Sequence, residues 1–209
     1  MPVIRTITLL AGSLAAALLA SCSSPRQTLV VSVPEQRLLL LDEDKQPVVI
    51  YPISTSKFGL GNTRGSYQTP LGKFEVASKI GNGIPPGGVL KSRRFTGEVL
   101  HPNAPGRDPI ISRILWLRGL QSKNANTHSR YIYIHGTPEE RTIGTPASYG
   151  CVRMRSDDVI ELYNLVHRGA KVEIITKKLP KVARQLPPPA LPAPPTPPKL
   201  LAGDLSASP

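Results

Sequence analysis

The stretch Tyr131–Arg155, YIYIHGTPEERTIGTPASYGCVRMR, decides how the rest of the chain is read. It opens with Tyr131-Ile132-Tyr133-Ile134-His135, an alternating aromatic and β-branched run that predicts a strand broken at Gly136. Working outward, TLVVSV (28–33), QRLLLLD (36–42), PVVIYPIST (47–55), GKFEVASKI (72–80) and RILWLRG (113–119) are further short β-rich runs. Turn residues separate them, as in Asp42-Glu43-Asp44, GNGIPPGG (81–88) and PNAPG (102–106). One helix is predicted just after the stretch, in SDDVIELYNLVHRG (156–169). Ser156 reads as its N-cap, Asp157 and Asp158 suit the positive helix start, and Gly169 suits the stop. Val159, Leu162, Tyr163 and Val166 would lie on one face, and a last strand, KVEIIT (171–176), follows. No internal repeat is found. Many strands with one or two short helices predict a mainly β sandwich or barrel-like domain over residues 28–177.

The flanks differ in kind. Residues 1–21, MPVIRTITLLAGSLAAALLAS, carry a positive start at Arg5 and an apolar run over 7–20. That run is too short for a comfortable membrane span of about 20 residues and reads as an export signal. Leu19-Ala20-Ser21-Cys22 resembles the bacterial lipobox, which implies that Cys22 receives a diacylglycerol and begins the mature chain, with 22–27 as a short tether. The competing reading is an ordinary cleaved signal with an incidental cysteine. The lipobox reading predicts a lipoprotein facing the periplasm. Ser23, where retained lipoproteins carry Asp, favours the outer membrane if the host is diderm. At the other end, ten of the last thirty residues are proline, so 178–209 reads as an extended or disordered spacer.

Lys and Arg number 26 against 14 Asp and Glu, a formal charge of +12. For an exported protein this fits an anionic envelope better than nucleic acid. The chain has two cysteines, Cys22 and Cys151. If Cys22 is acylated, Cys151 has no intrachain partner, and a free thiol in an oxidising compartment is better explained by use than by packing. A buried, inert cysteine is the plainer alternative.

Cys151 lies sixteen positions after His135. A thiol near its ordinary pKa needs a base or nearby positive charge, and a histidine at a strand end can project rigidly into a cleft. Alternation would place His135 on the same face as Tyr131 and Tyr133. If 151–155 is extended, Cys151, Arg153 and Arg155 share a face and the guanidinium groups favour thiolate. Gly150 permits close backbone approach, so N–H groups around Gly150 and Cys151 could form an oxyanion hole.

HGTPEERTIG followed by SYGCVRM closely resembles the motif of the L,D-transpeptidase (YkuD-type) family, His-Gly, a loop, then Ser-x-Gly-Cys-(Ile/Val)-Arg-Met. Pro52-Ile53-Ser54-Thr55-Ser56 and Thr69-Pro70-Leu71-Gly72-Lys73-Phe74 resemble the family's upstream segments, so the likeness covers roughly residues 28–176. The resemblance implies Cys151 as nucleophile and His135 as base and later acid. It gives the Gly136 carbonyl the task of orienting the imidazole, and places Ser148, Tyr149 and Arg153 around the pocket. Tyr149 stands where many members have histidine, and Ser56 where many have glycine. The implied reaction is acyl transfer on peptidoglycan stem peptides. Cys151 would attack the carbonyl between the diamino acid and D-Ala, and an amine of a second stem would resolve the thioester into a 3→3 cross-link. Water or a lipoprotein amine is another acceptor, carbapenems are implied covalent inhibitors, and no metal or organic cofactor is implied.

Three other readings fit the residues less well. A zinc site from His101, His128, His135 and Cys151 lacks ligand spacing. A papain- or NlpC-type peptidase would place cysteine before histidine. A non-catalytic wall-binding lipoprotein would be favoured by an altered Cys or His, and both are present. Trp116 reads as core rather than a sugar platform, His101 and His128 as surface or loop residues, and Glu139-Glu140-Arg141 as a solvated loop.

Overall fold

The computed structural model describes residues 27–181, so the export signal, Cys22, the tether up to residue 26 and the tail from residue 182 lie outside it. The chain forms β1 (Thr28–Ser32), β2 (Arg37–Leu41), β3 (Pro47–Pro52), β4 (Gly72–Ile80), β5 (Gly88–Lys91), β6 (Arg94–Val99), β7 (Ile110–Gly119), β8 (Tyr133–Gly136), β9 (Val152–Met154), α1 (Ser156–Leu165) and β10 (Lys171–Ile175). The protein is mainly β. The strands join in the order β3-β2-β1-β10-β4-β7-β5-β6, and β8 branches off β7 to pair with β9. Among these strands only the pairs β1–β10 and β8–β9 are parallel.

The hydrophobic pattern explains which faces are covered. In β2, Leu38 and Leu40 enter the main core with Val31, Tyr51, Phe74 and Leu117, while Leu39 points the other way into a small cluster with Ile50 and Leu179. Burial on both faces is why this strand reads as a continuous leucine run rather than an alternation. The expected face of α1 is real: Val159, Leu162, Tyr163 and Val166 are all buried in the main core, beneath β7 and β8.

Three local expectations change, and one hairpin appears that no run predicts. Arg155, not Ser156, occupies the N-cap of α1, and no side chain caps from that position. Ser156 is the first helical residue, its buried hydroxyl lies against that of Ser112 and accepts from Gly87 N–H, and its own N–H donates to the Glu140 carboxylate at 2.9 Å. The helix start is thus capped from a distant loop, which no local pattern reveals. At the other end the helix stops at Leu165, where Val166 turns extended, and Gly169 (φ +86°) serves the turn into β10 instead. Tyr131 has φ +57° and precedes β8, so it does not share a strand face with His135. The hairpin β5–β6 arises within the Gly/Pro-flanked stretch that carries no alternation, with β6 largely exposed.

Candidate active site

His135 and Cys151 are brought together by the parallel pair β8–β9, in which Ile134 faces Val152 and His135 faces Arg153. Cys151 immediately precedes β9 and lies level with Tyr133, whose N–H points at Sγ from 3.4 Å. Residues two apart on a strand share a face, so the imidazole and the thiol are diagonal neighbours on one side of the sheet. A parallel pair needs a long connection. Here it is the loop 137–151, whose one regular piece is a 3-10 turn over Glu140–Thr142.

The imidazole is buried, with Nδ1 2.8 Å from the Gly136 carbonyl. A carbonyl only accepts, so this contact keeps the proton on Nδ1 and leaves Nε2 as the basic atom. Gly136 is required by packing: a Cβ there would lie 2.7 Å from the Ile111 carbonyl oxygen and 3.1 Å from Val159.

The turn that presents the thiol is tied from within and from behind. Ser148 Oγ donates to the Cys151 carbonyl at 2.6 Å and accepts from Gly150 N–H at 3.2 Å. The Gly150 N–H is therefore engaged in the turn, which leaves only that of Cys151, of the two expected, as a candidate oxyanion donor. Gly150 has φ +115°, a region favourable to glycine. Behind the turn, Ser54 pairs with Arg153 through N–H···O bonds of 2.9 and 2.8 Å, and Ser148 N–H donates to Thr55 O at 2.9 Å. Thr69 Oγ1 donates to the Gly150 carbonyl at 3.1 Å and accepts from Ser56 N–H at 3.0 Å. The two upstream segments singled out in the sequence thus brace the thiol turn. Ser56 uses its hydroxyl to hold the Tyr67 carbonyl at 2.5 Å.

Arg153 is buried, and its guanidinium binds Asp108 and, at 3.0 Å, Thr142 Oγ1. The other Asp108 oxygen accepts from Thr137 Oγ1, so this carboxylate links the residue after His135-Gly136 to the residue after Cys151-Val152. Sequence reading missed Asp108, which sits in an irregular stretch far from the motif. Its only signal was an acidic residue just ahead of the β7 run. Glu140 was also misread as solvated. It is half-buried and caps α1, while the neighbouring Glu139 pairs with Arg141 at 2.9 Å.

Burial dominates the electrostatics. It lowers His135 to about 4, against the Gly136 carbonyl and Asp108, which raise it, and with a smaller lowering by Arg153. Cys151 keeps some exposure, yet the protein around it pushes the thiol up to about 11. The Tyr133 N–H, Arg130 and Arg153 all favour thiolate but are outweighed. The expected help from Arg153 is therefore present and insufficient. Arg155 is not among the groups acting on the thiol and instead lies near Asp158. Burial thus favours the neutral form of both the thiol and the imidazole.

Aromatic residues rim the site. Tyr149 is 58% exposed, packs against Phe58 and Tyr67 with ring centres 5.5 and 5.9 Å away, and its hydroxyl accepts from Lys57 Nζ at 2.9 Å. Trp116 is half-buried with His128 stacked 3.9 Å away and the Arg93 guanidinium over its ring at 4.9 Å, an arrangement that leaves no open platform. His101 is exposed.

A family model described as the L,D-transpeptidase catalytic domain (YkuD) matches residues 26–174. The putative L,D-transpeptidase YkuD of Bacillus subtilis (strain 168) is 49% identical over 138 residues, 66% of this chain and 60% of that protein. The probable L,D-transpeptidase YcfS of Escherichia coli (strain K12) is 29% identical over 155 residues, 73% of this chain and 45% of that protein. A solved L,D-transpeptidase from Mycobacterium smegmatis has 17% identity and a TM-score of 0.49, over 72% of this chain and 59% of that one. The chain spans about half the length of several curated relatives it matches.

Proposed function

We propose that the chain, which belongs to the L,D-transpeptidase catalytic-domain family, transfers acyl groups between peptidoglycan stem peptides through a thioester on Cys151. The observation that carries this is the diagonal placement of His135 on β8 and Cys151 just ahead of β9, with Nδ1 held by the Gly136 carbonyl. Nε2 of His135 takes the Sγ proton as sulfur attacks the carbonyl between the diamino acid and D-Ala. The C–N bond then breaks, His135 returns the proton to the leaving amine, and D-Ala departs. An amine of a second stem attacks the thioester, gives a proton to His135, and releases the thiol with a 3→3 cross-link. Water in place of the amine gives carboxypeptidation, and a lipoprotein amine gives wall attachment. Ring-opening of a carbapenem by the same sulfur gives a stable acyl-enzyme.

Purified protein incubated with tetrapeptide-stem muropeptides tests this by product mass. Cross-linked dimers with loss of D-Ala support transfer, tripeptides alone support hydrolysis, and unchanged substrate would leave a binding protein.

The second part of the proposal concerns location. The Leu19-Ala20-Ser21-Cys22 junction supports an exported lipoprotein anchored at Cys22 and facing the periplasm, in the outer membrane of a diderm host. Mass spectrometry of the mature protein tests this: an acylated N-terminal Cys22 supports it, and cleavage elsewhere or an unmodified Cys22 refutes it.

A further inference from the structure

Between Tyr131 and Tyr149 lies a cavity of about 270 Å³ that the acyl-transfer scheme does not use. It adjoins the thiol: Cys151 Sγ is 3.5 Å from the Tyr131 carbonyl, and Tyr149 is two residues before it. Tyr67, Arg64 and Arg130 also line the cavity, and no acidic side chain among the described residues does. The two guanidinium groups differ. That of Arg130 donates to the carbonyls of Gly61 at 3.1 Å and Gln68 at 2.7 Å, which fixes the loop forming one wall. That of Arg64 is exposed and has no hydrogen-bond or ion-pair partner among the described residues. Lys57, bound to the Tyr149 hydroxyl, adds positive charge behind that wall. Tyr67 and Tyr131 hold left-handed backbone, φ +56° and +57°, and the Tyr67 carbonyl is pinned by Ser56. The walls are therefore fixed, and the cation at the mouth is left without a counter-charge.

We infer that this cavity seats a carboxylate-bearing part of the stem peptide beside the reacting carbonyl, with Arg64 as its bidentate partner, so that the enzyme selects stems with a free carboxylate over amidated ones. The inference rests on the proposed acyl transfer and adds a substrate class to it. A planar guanidinium matches a carboxylate in charge and geometry, whereas a carboxamide offers one neutral acceptor. The flanking tyrosines supply apolar faces and hydroxyl groups for the adjacent peptide.

The test uses the Cys151→Ala chain, which cannot turn substrate over, and calorimetric binding of synthetic tetrapeptide stems. One stem keeps all its carboxylates, and others carry a carboxamide at one carboxylate at a time. The expected result is about tenfold weaker binding of the stem amidated at one particular position. Adding Arg64→Gln should weaken the free stem about tenfold and erase the preference, while Arg64→Lys should restore part of it. Equal affinity for all stems, no measurable binding of any stem, or a preference that survives Arg64→Gln would overturn the inference. Carbapenem acylation of Cys151 in the unmodified chain separates the two readings: an adduct without carboxylate preference removes the cavity assignment and leaves the thiol chemistry standing.

Discussion

Asp108 holds the guanidinium of Arg153 with one carboxylate oxygen and the hydroxyl of Thr137 with the other, joining the two strands that carry the imidazole and the thiol. Arg153 is 4% exposed, so this carboxylate is the counter-charge to a buried guanidinium. Asp108→Asn keeps a hydrogen-bond acceptor and removes the counter-charge. Such a loss beside a buried cation costs about 2–4 kcal/mol, and misplacing β8 against β9 would lower kcat/KM at least about tenfold. Denaturant titration and turnover of a tetrapeptide stem read the two effects, and an unchanged midpoint with unchanged turnover would remove Asp108 from the site's framework.

Burial pushes the thiol up to about 11 and the imidazole down to about 4, so it favours the neutral pair over a thiolate–imidazolium pair at rest. Alkylation by iodoacetamide, which needs thiolate, should therefore climb steadily with pH and show no plateau below about pH 9. Carbapenem acylation, in which His135 can take the proton during attack, should change little between about pH 5 and 9. An alkylation plateau near neutral pH would instead reveal a preformed ion pair.

Two buried groups pull stability in opposite directions with pH. His135 falls from 6.5 to about 4 on folding, so its contribution is present above pH 6.5 and is lost as pH falls towards 4. Asp158 rises from 3.8 to about 6 through burial, with Oδ2 lacking a hydrogen-bond partner among the described residues, so its contribution is present below 3.8 and is lost as pH rises through 6. Asp158→Asn should raise stability at pH 7 by on the order of 1–3 kcal/mol and steepen the loss on acidification from pH 6.5 to 4. Chemical denaturation at several pH values measures both, and a variant less stable at pH 7 would contradict the assignment.

Ser148→Ala removes the two hydrogen bonds that close the thiol turn, to the Cys151 carbonyl and from Gly150 N–H. The turn is also held by Thr69 and Thr55, so stability should fall by only about 1 kcal/mol. The turnover number should fall further, by about ten- to a hundredfold, because sulfur placement is what the hydroxyl controls. Equal turnover in the variant would assign Ser148 to packing alone.

The strand runs and the apolar face of α1 were legible because burial writes itself into period 2 and period 3.6. The leucine run of β2 was legible as a strand but not as one buried on both faces, since that depends on Leu179 arriving from the far end of the domain. The motif placed His135, Gly136, Ser148 and Cys151 in one neighbourhood because they flank a single crossover loop. Asp108 and Glu140 escaped because each acts across a long sequence separation through side-chain hydrogen bonds, and Thr69, though in a segment singled out in the sequence, gave no sign of its bond to the Gly150 carbonyl. Such a bond leaves no periodicity. The thiol's net pKa direction escaped too, because arginine spacing is visible in a sequence and desolvation is not.

Intact-protein mass spectrometry after brief incubation with a tetrapeptide-stem muropeptide, followed by peptide mapping, tests the central claim most directly. The account predicts a mass increase equal to the stem less D-Ala, mapped to Cys151 and absent in Cys151→Ala and, at the same time point, in His135→Ala. An adduct on another residue, or an equal adduct in Cys151→Ala, would contradict it.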